Sequence, residues 1–292
     1  MKLSNLYQYN TLAMSKVTDF RSSVSLDRER PHNQHFHEHK NKYNYFGFVD
    51  IDIDNCSPFT MFSCNDDLVA MTYFWYGANS YERMSISEWV SRSVDSNLIL
   101  DVGSFTGLYS LAAAFSKKEL NSCKIFAFEP TRRVHSRLLM NIQINKLRKV
   151  VEPINLAISN CSDTVRFFQY RADNVLGNGA SFINKGIEYT SDEEVVKTIS
   201  LDEFIDKKKI KPELIKIDVE QAEVLALKGM EQAITDYSPT ILIEVAPNTF
   251  EESVAILLSH NYKLFVINEE KRVLESIDKI SNSKVVNILA EK

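Results

Sequence analysis

The chain has 292 residues, of which 44% are hydrophobic and 25% charged, and it carries a net charge of −5. That length can bury a substantial core, in one large domain or one domain with an appendage, and the composition is that of a folded globular protein. The acidic balance disfavours a broad phosphate-binding face, no apolar run reaches the roughly 20 residues that span a bilayer, and the first residues lack the order of a secretory signal, so the expectation is a cytoplasmic protein with no nucleic-acid partner and no membrane span.

Residues 1–42 are polar and aperiodic and read as a flexible N-terminal arm. Its one cluster is His32, His35, His37 and His39. Four imidazoles so close can hold a metal, but zinc sites use fixed spacings and no second ligand cluster follows, so a solvated loop is expected and no metal is assigned. Cys56, Cys64, Cys123 and Cys161 are scattered without paired spacing, as thiols of a reducing compartment are.

Residues 43–95 read as a small cap region. Strand-like pieces at 46–53, 59–64 and 68–75 are separated by turns such as Asn65-Asp66-Asp67, and a helix follows around 87–92.

From residue 96 to 292 the pattern becomes an alternation of strands and helices. An apolar run from Leu98 reaches Asp101-Val102-Gly103-Ser104-Phe105-Thr106-Gly107, after which Leu108, Leu111, Ala112 and Phe115 recur at helical spacing. This is a buried strand, a tight loop and a helix N-terminus, a place suited to a nucleoside-bearing ligand. The loop does not fit the dinucleotide fingerprint, because Phe105 and Leu108 stand where that pattern needs glycine.

A second strand at 124–128 ends at Glu129-Pro130, where a carboxylate can accept from both hydroxyls of a ribose. A helix at 131–144 carries Val134, Leu138 and Ile142 on one face, with Asn145 as a left-handed cap. The run 150–159 reads as a third strand that brings Ala157 and Ile158 toward an adenine. Residues 160–200 interrupt the rhythm with strands at 164–170 and 195–199 and a turn at Gly177-Asn178-Gly179, an insertion over the active face.

The rhythm resumes with a helix at 201–205 and a strand at 214–217 that ends at Asp218-Val219-Glu220. A helix bearing Val224, Leu227, Met230 and Ile234 follows, then a strand at 240–245 containing Glu244. A helix capped by Asn248 with Glu251 three residues on leads to strands at 263–267 and 285–289. The fold class is therefore α/β, a doubly wound parallel sheet with ligands at the strand carboxyl ends, where Asp101, Glu129, Asp218, Glu220 and Glu244 gather on one rim.

The order of these pieces resembles the FkbM family of S-adenosylmethionine-dependent methyltransferases, from about residue 59 to the end. The marks are Tyr81-Glu82, Leu100-Asp101-Val102-Gly103-Ser104-Phe105-Thr106-Gly107, Ala127-Phe128-Glu129-Pro130, Ser200-Leu201-Asp202-Glu203-Phe204, Lys216-Ile217-Asp218-Val219-Glu220-Gln221-Ala222-Glu223 and Ile243-Glu244. Phe105 stands where the family often has Asn, and Gln221 where it usually has Gly.

The resemblance implies the class I methyltransferase (Rossmann-like) sheet of seven strands, its last antiparallel, with the N-terminal strands as a β-rich cap. It also implies S-adenosyl-L-methionine as cofactor: Asp101, Gly103, Thr106 and Gly107 around the methionine, Glu129 and Pro130 at the ribose, Ala157 and Ile158 near adenine, and Asp218 on the cofactor side. Tyr81, Glu82 and Glu220 would face the acceptor, a hydroxyl on a sugar, glycan or natural-product-like small molecule, with Asp218, Glu220 and Glu244 as candidates for the catalytic base. Two other readings stay open: a methyltransferase fold kept as a binding or scaffolding module, and a nicotinamide-dependent oxidoreductase, which Phe105 and Leu108 disfavour. The oligomeric state is not legible.

Overall fold

The computed structural model describes residues 3–24, 34–119, 123–170, 176, 191–277 and 284–292. The N-terminal layer comprises α1 (Leu3–Ser23), α2 (Gln34–Lys42), the hairpin β1 (Gly47–Ile51) and β2 (Phe59–Ser63), α3 (Leu68–Tyr76) and α4 (Arg83–Ser93). Where the sequence suggested a loose arm, α1 and α2 bury Phe20 and Phe36 against Met71, Trp75 and Tyr76 of α3. In α1 the inward Ala13, Val17 and Phe20 do recur at helical spacing, but exposed Tyr7, Leu12 and Met14 blur that stripe.

The run 68–75, expected as a strand, is helical. Its residues are apolar all round, a pattern that suits a buried helix as well as a buried strand. The start is set by Asp67, which accepts from the Ala70 amide, and the end by Gly77.

The remaining elements are β3 (Leu98–Val102), α5 (Leu108–Phe115), β4 (Lys124–Phe128), α6 (Arg132–Ile144), β5 (Val151–Ile154), β6 (Ala157–Ile158), β7 (Thr164–Tyr170), β8 (Ser191–Ile199), α7 (Leu201–Lys208), β9 (Leu214–Ile217), α8 (Glu223–Lys228), α9 (Glu231–Tyr237), β10 (Thr240–Val245), α10 (Phe250–Ser259), β11 (Lys263–Asn268), β12 (Val273–Ser276) and β13 (Val286–Glu291). The main sheet runs β12-β11-β13-β10-β9-β3-β4-β5. β5, β4, β3, β9 and β10 pair in parallel, and β13 lies antiparallel between β10 and β11. Without β12 this is the expected seven-stranded order with its last strand reversed, and β12 adds an eighth strand at the edge.

Alternation along the strands separates two cores. Ile99, Leu214, Leu242 and Leu289 face the N-terminal layer with Trp89 and Tyr109. Leu100, Ile215, Ile241 and Ile288 face the opposite side with Phe204, Leu227 and Ile234.

Three local expectations are corrected. The run 150–159 is broken, because Asn155 turns out of the sheet and its amide donates to the Glu129 and Pro130 carbonyls; β6 then pairs with β8 in a separate three-stranded sheet. Asn145 is not left-handed, with φ −87°; Lys146 takes that conformation at φ 59°, and the Asn145 amide instead bonds both the N–H and the carbonyl of Thr60. Thr249 rather than Asn248 begins α10, and its hydroxyl is spent on Glu223. The turn expected at 177–179 and His32 lie outside the described residues.

Candidate functional site

The glycine loop follows β3 at the centre of the sheet, where neighbouring crossovers diverge. Gly103, Phe105 and Gly107 all have positive φ, at 80°, 48° and 101°. The first two loop amides, Gly103 and Ser104, both donate to the Phe128 carbonyl at the tip of β4 (3.0 and 2.9 Å), which ties the loop to the residue before Glu129. Glu129 is 7% exposed; one of its oxygens accepts from the Thr131 amide and hydroxyl at 2.9 and 2.7 Å. Burial pushes this carboxyl up to about 7 despite those bonds and one from the Phe105 amide.

Asp101 is fully buried inside β3, with Lys216 of β9 as its register neighbour. One Asp101 oxygen accepts from the Ser110 hydroxyl at 2.6 Å; the other is buried without a hydrogen-bond partner. Burial raises this carboxyl, while Lys216 and Ser110 act in the other direction.

Lys216 is the hub that sequence reasoning missed. Its ammonium lies 2.7 Å from Asp218 Oδ2 and 4.3 Å from the centre of the Tyr109 ring. Burial alone would lower it, but Asp218, Glu82 and Asp101 outweigh that cost and hold it above its ordinary range. A lysine in the middle of Leu214-Ile215-Lys216-Ile217 was the available signal, since a parallel strand buried on both faces tolerates a charge only when it is paired.

Acids crowd this one cation. Tyr109 donates to Glu82 at 2.5 Å, and Glu82 is raised by burial, partly offset by Lys216. Tyr81 is driven well up by burial and by the charges of Glu82, Asp218 and Glu244. Glu244 is pushed up to about 9, first by repulsion from Asp218 and then by burial.

Glu82 precedes α4 in a left-handed conformation and makes no cap bond; Glu269, from beyond β11, caps that helix instead by accepting from the Met84 and Ser85 amides at 2.7 and 2.8 Å. The Glu82 side chain is thereby left to turn toward Tyr109. Glu220 and Gln221 follow β9 at φ 49° and 76°.

The expected residues therefore divide. Tyr81, Glu82, Asp101, Asp218 and Glu244 converge around Lys216, with Glu220 also acting on Glu244, and Glu129 stands beside the glycine loop. Ala157 and Ile158 do not sit at the tip of β5; they are buried at 4% and 1% exposure in β6, and the β5 edge is Ile154. Thr106 is fully buried with its hydroxyl toward Asp67. No group of His, Cys, Asp or Glu among the described residues is arranged to hold a metal ion.

A cofactor bringing hydrogen-bond donors fits these atoms, because Asp101 keeps an unpaired oxygen and Glu129 stands at the neighbouring strand end. Sheet order and site together define a class I methyltransferase-type protein. The Methyltransferase FkbM domain matches residues 101–264, and the chain belongs to that family, whose cofactor is S-adenosyl-L-methionine.

Among characterised proteins, the chain is 26% identical over 166 residues to the hexuronic acid methyltransferase AglP of Haloferax volcanii, a match covering 56% of this chain and 62% of that relative. Among solved structures, it is similar to the methyltransferase FkbM from Methylobacillus flagellatus (14% identity, TM-score 0.44, 77% of this chain and 53% of that one). It is also similar to the Aeropyrum pernix fibrillarin solved with natively bound S-adenosyl-L-methionine (11% identity, TM-score 0.39, 68% of each chain).

Proposed function

We propose that this chain is an S-adenosylmethionine-dependent O-methyltransferase whose acceptor is a hydroxyl on a sugar, glycan or natural-product-like small molecule. The observation that carries the reading is the placement of Glu129 beside the loop Gly103–Gly107, with the unpaired oxygen of Asp101 behind it. In this reading Asp101 and the loop backbone hold the amino-acid end of the cofactor, Glu129 takes the ribose hydroxyls, and the base falls to the end of β5.

S-adenosylmethionine supplies, when bound, a methyl group on a positively charged sulfur. In this reading the acids gathered about Lys216, namely Glu82, Asp218, Glu220 and Glu244, would face that region, and those ionised at neutral pH, Glu244 not among them, would favour a cation. An alcohol is a poor nucleophile at neutral pH, so an acceptor of this kind would need a base at its hydroxyl to take the proton as the methyl group is received. In this reading Asp218, Glu220 and Glu244 are the candidate carboxylates, Glu244 only once it has lost its own proton, and Tyr81 and Glu82 would orient the hydroxyl. The family likeness to a hexuronic acid methyltransferase supports a sugar-type acceptor.

Titration calorimetry with S-adenosylmethionine, S-adenosylhomocysteine and NAD tests the cofactor. The first two bind and Glu129→Ala weakens them at least tenfold; binding of NAD alone overturns the reading. A mass-spectrometric search of cell extract for products heavier by one methyl group then tests transfer, and bound cofactor without any product favours a scaffolding role.

A further inference from the structure

The glycine loop is bonded to the N-terminal layer by one side chain and faced by a second, and neither touches open surface. Asn141 of α6 is fully buried; its Oδ1 accepts from the Phe62 amide of β2 at 2.9 Å, and its Nδ2 donates to the Thr106 carbonyl at 2.8 Å. The amide orientation is unambiguous, because the Phe62 N–H requires the oxygen and the Thr106 carbonyl requires the nitrogen. Asp67, also fully buried, caps α3 through one oxygen and faces the Thr106 hydroxyl. Residue 106 is thus held at its carbonyl by Asn141, which also holds β2, while its buried hydroxyl faces Asp67, the cap of α3, without a hydrogen bond between them.

The loop needs such a grip. Three of its five residues are left-handed; two are glycines, but in Phe105 that conformation costs about 1–3 kcal/mol and is kept only because the surroundings hold it. The bonds to the Phe128 carbonyl fix the start of the loop. The end is fixed at Thr106 by the Asn141 bond, with Asp67 set against the Thr106 side chain.

We propose that Asn141 and Asp67 are positioning residues for the cofactor loop, making the N-terminal layer a working part of the cofactor site and not only a cover for it. The proposal rests on the cofactor reading above only for which ligand reports on the loop. The structure contains its own control: Asn145, one turn along α6, makes the same kind of paired bonds to β2 at Thr60 and none to the loop.

The test uses the full chain with Asn141→Ala, Asp67→Asn and Asn145→Ala. Asp67→Asn keeps a good helix cap, so it folds even where Asn141→Ala is poorly stable. Two readouts are taken: amide hydrogen exchange of residues 103–107 in the ligand-free protein, and S-adenosylhomocysteine affinity by calorimetry. Asn141→Ala and Asp67→Asn are expected to speed loop exchange and weaken S-adenosylhomocysteine about tenfold, and the double variant to lose less than the product of the two. Asn145→Ala is expected to lower the melting temperature while leaving both readouts within twofold.

Loop exchange unchanged in Asn141→Ala and Asp67→Asn, or changed equally in Asn145→Ala, overturns the proposal. A wild-type chain that fails to bind S-adenosylhomocysteine overturns the cofactor reading instead, and the exchange data still decide this one.

Discussion

The carbonyl oxygen of Asp218 lies 1.7 Å from the point where a β-carbon on Gly103 would stand. The glycine is therefore demanded by the protein before any ligand arrives, since the loop after β3 presses directly on the chain leaving β9. This contact joins the two strand ends that carry the cofactor loop and the candidate base. Gly103→Ala must both displace Asp218 and hold alanine at φ 80°, so a loss of at least about 2 kcal/mol is expected in denaturant unfolding, together with loss of S-adenosylhomocysteine binding. A variant with wild-type stability and affinity would contradict the contact.

Gln221 makes the complementary case. It sits at φ 76°, its amide donates to Glu223 at 2.6 Å, and its side chain has only a long contact of 3.3 Å with Asn248. The backbone is held left-handed by Glu223 regardless of what residue occupies the position. Gln221→Gly removes a steric penalty of about 1 kcal/mol, so the variant should unfold at higher urea concentration. An unchanged or lower midpoint would show that the side chain matters more than the strain.

Lys216→Met tests the hub. Removing the ammonium strands Asp218, Glu82 and Asp101, and breaking a buried pair this way costs about 3–5 kcal/mol. Glu82 and Asp101 already have raised pKa values from burial, so they take up protons readily and the deficit should shrink as pH falls. Urea unfolding at pH 5.5 and pH 8 checks both points. An equal deficit at the two values would mean that lost packing, not stranded charge, is responsible.

Much of this architecture could be read from residues alone, for identifiable reasons. The strands β3, β4, β9 and β10 are short, mostly apolar runs that end at or beside an acid, and Glu129 announces itself by ending one of them. The N-terminal helices could not be read this way, because exposed Tyr7, Leu12 and Met14 mask the buried row of α1 that ends at Phe20, and α2 is anchored by Phe36, with partners on α3. The strand at 150–159 was misread because Asn155 spends its amide on carbonyls from another strand end, a contact no local pattern reveals. At the site the acids were visible, but Asn141, Tyr109 and Glu269 act through partners 27 to 185 residues away, and only the fold brings them there.

Glu129 should make cofactor binding pH-dependent. Its folded-state value is raised from 4.5 to about 7, so the folded protein keeps a proton that the unfolded chain releases. Its contribution to stability is thus most favourable below about pH 4.5 and falls as pH climbs to about 7, by about 3 kcal/mol relative to Glu129→Gln. Ribose hydroxyls need the ionised form, so S-adenosylhomocysteine affinity should rise with pH up to about 7 and then level off, with proton release visible as a buffer-dependent calorimetric heat. Affinity that does not change between pH 5.5 and 8 would remove Glu129 from the ribose.

The choice of base also has a pH signature. Glu244 is raised to about 9 because Asp218 repels its negative charge and burial withholds water, so at neutral pH it carries a proton and cannot accept one. If it must lose that proton before an acceptor hydroxyl can give up its own, turnover should climb steeply with pH toward about 9, and Glu244→Gln should remove both the climb and on the order of 100-fold or more of the rate. Glu220 is held at φ 49° at the end of β9, on the backbone stretch that leads from Asp218 into α8, and it too bears on Glu244 electrostatically. We favour Glu220 as the base, with Glu244 kept protonated as a hydrogen-bond donor. On that assignment turnover is nearly flat between pH 7 and 9, Glu220→Gln loses about 100-fold or more while S-adenosylhomocysteine affinity stays within a few-fold, and Glu244→Gln, which keeps a donor, loses less than about tenfold. Once an acceptor is known, a steep profile abolished by Glu244→Gln, with Glu220→Gln losing less than about threefold, would transfer the role to Glu244.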